Sequence, residues 1–586
     1  MLLMDIYNIY MQLFTLCIFD RVEREDLMFK RLTTIMLISL VAMLSAAALD
    51  MKLYDYNSPD YIMVDKLTRL SGVIGPSSAT PVTGEELYIA LQRIDASKLG
   101  GRYKAEYQRL MEKFQAPHDN FSYDNSLYFA PQLYLSVDQK TIEPSEYFIP
   151  FERRLGAGYG TLSLAFGENL FLETSLEAIN NSVIIGQNGI PYTSFDFIMS
   201  NRATGDVWNV VSTANPIQLY GEVPSMARGA IGNKWFSLIA GRTHHQMGSG
   251  YSGNLVIGDN YRFQEILKLT AQSNLFTYSL DFTHFDPQVA IDDQNWRINK
   301  HNFNEPQVLR LMHRLDFNIV DKARIALNLG FVMYGSNLLD MRLITPLFLV
   351  HNWYNFREGQ TIYPGDESNN IMSMEVEWMA LERLKLGLQV AVDQWQMFWE
   401  DDNVPDAVGL LFNVSYLDTL KHGDIEYYAE GIYTTPNFYL NTKYNQDGEG
   451  NRTRNYNYDF ALGYFRRDTK GDVAWSGHKF GPNSLGVVVG AKSKFYDYNL
   501  KLDSVISFYT HGEIDFETPY FENEQFKWKG TPEHRMDVKC EGSWGFKEKL
   551  ELLGGINFGF YWNYKHNHGT FKFMPQGMIG LKYTVI

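Results

Sequence analysis

Residues 372–393 read MSMEVEWMALERLKLGLQVAVD and contain two runs in which every second residue is apolar. In the first run, Met372 to Trp378, the positions between the apolar residues hold one serine and two glutamates. In the second run, Leu384 to Val392, those positions hold a lysine, a glycine, a glutamine and an alanine. Successive side chains of a β-strand point to opposite faces, so each run predicts a strand with one apolar and one polar face. The short turn between the runs predicts an antiparallel hairpin.

The same two-residue period recurs on both sides of this hairpin. It is present in residues 325–333, 550–560 and 578–586. In a soluble protein the apolar faces would form a core, but a long series of strands with charges on one face favours lipid outside a barrel and water inside it. A soluble β-sandwich or an array of carbohydrate-active β-domains is the alternative architecture. The last strand resembles an outer-membrane assembly signal without its terminal Phe or Trp, and it makes the barrel-assembly machinery an expected partner.

The connections between the predicted strands differ in length. Turns such as Asp321-Lys322 and Lys547-Glu548 are short, whereas the polar segments 351–371, 441–456 and 511–533 are long. Short connections at one end and long ones at the other are typical of outer-membrane barrels. Roughly 460 residues follow the predicted helices, and about 25 residues per strand and connection give about 18 strands. We therefore predict an all-β transmembrane antiparallel barrel over residues 121–586, located in the bacterial outer membrane.

The composition supports this class of protein. Of the 586 residues, 15% are aromatic and 46 are glycine, while only 45% are hydrophobic, which is too polar for a helical membrane protein. The net charge of −16 argues against a nucleic-acid partner. The two cysteines, Cys17 and Cys540, provide no disulfide framework and no thiolate metal cluster. We expect no cofactor and no metal ion.

Residues 28–48 are typical of an export signal. Lys30 and Arg31 form a basic start, an apolar run follows, and Ala46-Ala47-Ala48 is a small-residue cleavage site, so residues 28–48 are the expected signal peptide. Residues 1–27 then precede the start at Met28. We expect either a misassigned start codon or an unusually long signal, and the same mature chain in both cases.

A small helical module is predicted over residues 49–120. Its first helix begins at Ser58-Pro59-Asp60 and stops at Gly72. The second opens with the capping box Thr83-Gly84-Glu85-Glu86, and the third extends from about Tyr103 to Phe114. Such short helices are expected to pack together and against the periplasmic rim of the barrel. Residues 58–94 also loosely resemble an S-layer-homology module, which implies binding of cell-wall polymer, and a plain barrel cap is the alternative.

A glycine-rich segment, Gly241 to Leu255, reads GRTHHQMGSGYSGNL. Glycines allow sharp bends and close backbone approach, and Arg242, His244 and His245 beside them are candidates to point into a polar interior. The alternative is a β-bend with a solvated arginine and histidines.

This segment resembles the central signature of the Wzi-type capsule assembly proteins, which are outer-membrane β-barrels that hold surface polysaccharide. Three further pieces match that family in order: 311–315 (LMHRL), 333–335 (MYG) and 343–347 (LITPL). The resemblance covers roughly the middle quarter of the chain. It implies a role in holding or organising surface glycan and brings no catalytic set. The residues that match its motifs are Gly241, Arg242, Gly248, Gly250, His313 and Arg314.

The candidate site residues follow from these motifs and from the composition of the predicted outer loops. Arg314 falls on the polar face of its strand, whereas His313 is in register with the apolar Leu311 and Leu315. Aromatic rings stack on sugars and carboxylates accept their hydroxyl hydrogen bonds. Glycan-binding or lumenal candidates are therefore Arg242, His244, His245, Arg314, Trp353, Tyr354, Asp366 and Glu367. The alternative for the arginines is a lumenal ion-pair network that braces the barrel.

Two functions from different classes remain open at this stage. The first is a non-enzymatic barrel that binds surface polysaccharide, with outer-membrane lipid and the glycan as partners. The second is a porin for passive diffusion of small solutes, which its N-terminal helices would attach to the cell wall.

Overall fold

A computed structural model describes the chain between Asp50 and Val585. The described residues are 50–115, 121–136, 158–178, 183–185, 191–193, 207–212, 218–258, 260, 263–285, 288–292, 295–298, 307–335, 343–344, 367–394, 406–446, 452–457, 463–465, 473–513 and 530–585. The predicted signal peptide and the residues before it lie outside these ranges.

An antiparallel barrel of 18 strands forms the body of the molecule. The first nine strands are β1 (Ser122–Phe129, continued by Gln132–Ser136), β2 (Gly158–Phe166), β3 (Leu170–Ala178), β4 (Gln218–Gly232), β5 (Phe236–Thr243), β6 (Gln264–Gln272), β7 (Phe276–Phe285), β8 (Gln307–Val320) and β9 (Ala323–Gly335). The second nine are β10 (Glu367–Leu381), β11 (Leu384–Gln394), β12 (Ala407–Thr419), β13 (Gly423–Thr434), β14 (Ser484–Phe495), β15 (Leu500–His511), β16 (Glu533–Lys547), β17 (Leu550–Trp562) and β18 (Phe571–Thr584). Each strand pairs with the next, and β18 returns to β1 through pairs such as Ile579 with Leu133. The predicted fold class and strand number are confirmed.

The alternation of the sequence maps onto the two faces of the wall. In β10, Trp378 is 48% exposed on the outer face, whereas its neighbour Glu377 is 4% exposed on the inner face. Apolar residues remain exposed along the outer wall because lipid, rather than a protein core, is their natural environment.

The connections also follow the predicted asymmetry. Each even-numbered strand from β2 to β16 joins its successor through a short turn, such as Asp321-Lys322 between β8 and β9. The other connections are longer and carry small two-stranded elements, for example Asn441–Gln446 with Arg452–Asn457. The remaining elements of this kind are Val183–Ile185 with Pro191–Thr193, Gln288–Asp292 with Asn295–Ile298, Gly463–Phe465 with Val473–Trp475, and Val207–Ser212 against β4. We call the short-turn end periplasmic and the other end outer.

The helical module precedes the barrel, as predicted. It contains α1 (Pro59–Ser71), α2 (Gly84–Gln92) and α3 (Gly101–Gln115), with a 3-10 turn at Ala96–Lys98. Gly72 ends α1 in the left-handed conformation, and Thr83 and Glu86 form the capping box of α2. The apolar faces pack around the fully buried Val64, Leu87 and Phe114. No helix among the described residues is long and apolar enough to cross a membrane.

The module also enters the barrel. The sequence had predicted only that it packs against the periplasmic rim. The backbone of Ile74 donates to the carbonyl of Asp321 in the β8–β9 turn at 2.7 Å. Beyond this point residues 73–83, here called the strap, continue into the lumen. Lys268 of β6 donates to the carbonyl of Ala79 at 2.8 Å, so the strap is fixed to the inner wall. Val82–Thr83, at the end of the strap, pairs with Leu53–Tyr54, so the strap ends beside the start of the helical module.

One sector of the outer wall departs from the simple alternation. Leu329, Phe331 and Met333 face outward on β9 but are almost completely buried. They form a cluster with Leu343, which belongs to the connection between β9 and β10. Part of this connection therefore lies on the outside of the wall, and the sequence period alone gave no sign of it.

Candidate functional site

The glycine-rich segment turns into the barrel after β5. Gln246–Met247 pairs antiparallel with Ala79–Thr80 of the strap, and Gly248 N donates to the carbonyl of Ser78 at 3.2 Å. A segment from the periplasmic end and a segment from the outer end thus meet as a two-stranded sheet inside the lumen. We call residues 78–80 and 245–248 the lumenal junction.

Glycine is required where the segment bends. Gly248 has a φ of 122°, a conformation that other residues rarely adopt. A Cβ atom at this position would lie 2.3 Å from Asn254 Oδ1 and 2.4 Å from Gln389 Nε2. The bend therefore allows the loop backbone to approach the barrel wall closely.

Side chains of the wall satisfy the polar backbone groups of the loop. Gln389 of β11 accepts from Leu255 N at 3.0 Å, and Glu430 of β13 accepts from Tyr251 N and Ser252 N at 2.7 and 2.9 Å. Buried N–H groups need such partners, because an unpaired one is costly. The loop is thereby held in one position across the lumen.

His245 lies in the lumen, between the strap and the wall. Its Nδ1 is 2.9 Å from the carbonyl oxygen of Thr80, and its Nε2 is 3.7 Å from Asp281 Oδ2. A carbonyl only accepts, so Nδ1 carries the proton. Burial, together with the nearby Arg310 and Lys268, lowers the pKa of His245 well below its ordinary value, so the imidazole is neutral near pH 7.

Arg242 and His244 lie elsewhere, and the expectation that Arg242 points into the lumen is wrong. Thr243 faces inward, where it accepts from Arg228 at 3.1 Å, so its neighbour Arg242 must face outward. Arg242 is 3.3 Å from Glu265 Oε1 and lies over the ring of Phe263, which also contacts the exposed His244. These residues form a charged and aromatic patch on the outer face at the outer end.

Arg314 is lumenal and fully buried. Its guanidinium donates to both carboxylate oxygens of Glu375 at 2.9 and 3.1 Å, to Asp316 at 3.1 Å and to Ser78 of the strap at 3.2 Å. These are the contacts of a brace between the wall and the strap, and they occupy the donors that a glycan would need.

His313 occupies the covered sector of the outer wall. Its Nε2 is 2.6 Å from the carbonyl oxygen of Leu343, and its Nδ1 is 2.7 Å from the hydroxyl of Tyr278. Since the carbonyl only accepts, Nε2 donates to it and Nδ1 accepts from Tyr278. Two of the sequence motifs, 311–315 and 343–347, therefore meet at this histidine. The other candidates Trp353, Tyr354 and Asp366 lie outside the described residues, and Glu367 opens β10 opposite Tyr334.

A cluster that the sequence did not reveal links Ser252, His478 and Glu430. Phe480 N donates to His478 Nδ1 at 3.3 Å, so the proton of this neutral ring is on Nε2, which donates to Ser252 Oγ at 2.9 Å. Ser252 in turn donates to Glu430. The histidine cannot accept the serine proton in this arrangement, so the cluster is a structural relay rather than a nucleophile with its base. The residues are far apart in the sequence, and no local motif could have predicted them.

The chain is similar to several solved outer-membrane proteins at low sequence identity. No protein-family model and no curated protein matches the chain. Among solved structures, the chain is similar to Escherichia coli Wzi, an outer-membrane protein involved in group 1 capsule assembly and described as a carbohydrate-binding β-barrel, with 12% identity over 90% of this chain and 98% of that chain and a TM-score of 0.49. It is also similar to the outer-membrane channel DcaP of Acinetobacter baumannii, with 8% identity over 79% and 97% of the two chains and a TM-score of 0.35. A BenF-like porin from Pseudomonas fluorescens gives 7% identity, 79% and 98% coverage and a TM-score of 0.37. The apolar outer wall, the polar lumen and the unequal connections make this chain a bacterial outer-membrane β-barrel.

Proposed function

We propose that this protein holds or organises surface polysaccharide at the outer membrane and is not a passive diffusion channel. The observation that carries the proposal is the lumenal junction. A strap from one end and a loop from the other pair through backbone hydrogen bonds inside the barrel. Diffusion of solutes needs a continuous aqueous path, whereas a barrel of this size with a closed interior can act as a rigid platform.

The junction is anchored to several strands of the wall. Lys268, Arg314 and Arg324 bind the strap, from β6, β8 and β9. Gln389 and Glu430 bind the loop, from β11 and β13. Displacing either segment would leave buried charges and amides unpaired, so spontaneous opening is costly.

The chemistry of the outer end suits a glycan. Arg242, Glu265 and Phe263 offer a cation, a carboxylate and an aromatic face within one partly exposed patch. These groups provide the ionic, hydrogen-bonding and stacking contacts that sugars use. We assign the same role to Trp353, Tyr354 and Asp366 between β9 and β10 and to Glu367 at the start of β10, and we assign no catalytic role to any residue.

Bilayer conductance of the purified full chain, compared with glycan retention on cells, tests this proposal. The native protein should give no large, steady pore, and cells that lack it should retain less surface polysaccharide. Gly248→Ala should create an intermittent leak, because a side chain at this φ collides with Asn254 and loosens the loop. Gly431→Ala is the matched control, because nothing lies within 4 Å of a Cβ atom there. A large native pore together with unchanged glycan retention would establish the porin instead.

A further inference from the structure

The lumen is not uniformly filled, and its periplasmic half next to β14, β15 and β16 is accessible to water. The inward-facing side chains Lys539 and Glu541 of β16 are 24% and 33% exposed. Towards the outer end of the same wall, Asn557 and Tyr561 of β17 are 1% exposed. We call this water-accessible part of the lumen at the short-turn end the periplasmic vestibule.

The loop of the lumenal junction forms part of the vestibule's boundary. The ring of Tyr251 stacks on that of Tyr428 with centroids 4.2 Å apart, and Lys492 of β14 lies 5.3 Å from the Tyr251 centroid. Two aromatic rings and a cation therefore lie at the boundary of the vestibule, next to the charged side chains of β14 to β16.

Two lysines at the mouth of the vestibule face each other across neighbouring strands. Lys494 of β14 and Lys501 of β15 are direct register partners, and both are exposed. Like charges in directly opposed positions repel each other. Among the described residues, neither lysine has a carboxylate within ion-pair distance. The fold thus tolerates an uncompensated pair of cations at this point.

The carboxylate directly opposite Lys494 is already neutralised. Asp424, opposite Lys494 on β13, is 2.7 Å from Lys66 of α1 and 3.3 Å from Arg102 of α3. It also accepts from the hydroxyls of Tyr103 and Tyr496. With all these partners, Asp424 cannot also balance Lys494 and Lys501.

Three cations converge on one ring at the same mouth. The guanidinium carbon of Arg102 is 3.9 Å from the centroid of Tyr496, and the Nζ atoms of Lys494 and Lys66 are 5.1 and 5.8 Å from it. They come from α3, β14 and α1, so folding brings them together from distant parts of the sequence. A concentration of positive charge in a chain of net charge −16 points to an anionic ligand.

We infer that the periplasmic vestibule binds an acidic saccharide, with a carboxylate or phosphate between Lys494 and Lys501. Asp503 and Glu541, register partners one step deeper, would accept hydroxyl hydrogen bonds from the sugar ring. The site lies behind the barrel wall and is lined by charged and tyrosine side chains, which suits a sugar better than acyl chains. Only the choice of a saccharide rests on the proposed function; the preference for an anion rests on the charges.

Calorimetric binding to the purified, folded full chain tests this inference, with tetragalacturonate as the acidic probe and maltotetraose as the neutral one. Tetragalacturonate should bind and maltotetraose should not, and about 0.5 M salt should weaken the binding. The double variant Lys494→Gln/Lys501→Gln should weaken it about tenfold, because it removes both cations that would face the anion. Lys234→Gln/Lys322→Gln, in exposed turns between other strands, should bind like the native chain.

Several results would overturn the inference. The first is equal binding of the two saccharides, and the second is unchanged affinity in a Lys494/Lys501 variant whose heat-modifiable migration shows that it is folded. The third is equally tight binding of inorganic phosphate. The fourth is binding of anionic phospholipid vesicles, instead of the saccharide, that depends on the two lysines. The assay uses purified protein and a periplasmic site, so it is independent of glycan retention on cells. Failure of one proposal is thereby distinguishable from failure of the other.

Discussion

In the part of the chain that the structure describes, charged side chains are paired around the lumenal junction but unpaired in part of the periplasmic vestibule. Around the lumenal junction, Arg314 is fully buried and bound to two carboxylates, whereas in the periplasmic vestibule Lys501 is exposed and has no acidic partner within ion-pair distance among the described residues. Buried charges must be paired, because leaving one uncompensated costs several kcal/mol. Exposed charges are screened by water and need no partner. The comparison separates residues that hold the structure together from residues that are free to bind a ligand.

The largest effect is expected at Arg314. Arg314→Ala removes the cation of the buried Glu375 and leaves Asp316 with the more distant Arg324 at 4.0 Å, so the free energy of unfolding should fall by about 3–5 kcal/mol. Lys501→Ala should change it by less than about 0.5 kcal/mol, since this side chain is exposed. Urea titration of the folded barrel, followed by tryptophan fluorescence, measures both. Equal losses in the two variants would abolish the distinction between the two parts of the lumen.

A smaller effect is expected from pH, through His245 of the junction. Its folded pKa is depressed below the ordinary value of 6.5, so the unfolded chain takes up a proton first as the pH falls. The stabilising effect of a neutral His245 is complete above about pH 6.5 and is lost by about 1.4 kcal/mol per pH unit below it, down to the folded pKa. His245→Gln should therefore flatten the decline in unfolding free energy between about pH 6.5 and pH 5. An unchanged pH profile would mean that His245 has the same pKa in the folded and the unfolded chain.

Only a small effect on stability is expected at Arg242. This arginine lies on the outer face with a partly exposed ion pair, so Arg242→Ala should cost no more than about 1 kcal/mol. Assembly, judged by heat-modifiable migration, should be intact while retention of surface glycan falls. If the variant instead failed to assemble, Arg242 would be a brace like Arg314, and its proposed contact with glycan would be withdrawn.

Local signals in the sequence predicted the elements well. The hairpin at 372–393, the capping box at Thr83 and the stop at Gly72 depend on neighbours within a few residues, and all three are present in the structure. The strand number followed from the same period and the chain length.

The features that could not be predicted from the sequence depend on contacts between residues far apart in the chain. The orientation of Arg242 depends on the contact between Thr243 and Arg228, and the burial of Phe331 depends on the fold of the β9–β10 connection. The junction joins residues more than 160 positions apart, and the vestibule combines residues of two helices with residues of β14, β15 and β16. A two-residue period contains no information about such partners, so these features required the three-dimensional arrangement.

A cysteine pair at the lumenal junction gives the most direct test of the closed interior. Ala79 and Met247 are register partners and both are buried. In a Cys540→Ser background, Ala79→Cys/Met247→Cys should form a disulfide in the folded barrel, because opposed strand positions have suitable Cα separation. We expect a faster-migrating, reducible band together with the absence of steady conductance, and no such band for the mismatched pair Ser77→Cys/Met247→Cys. Free thiols at both positions in a folded barrel that conducts steadily would contradict the closed interior.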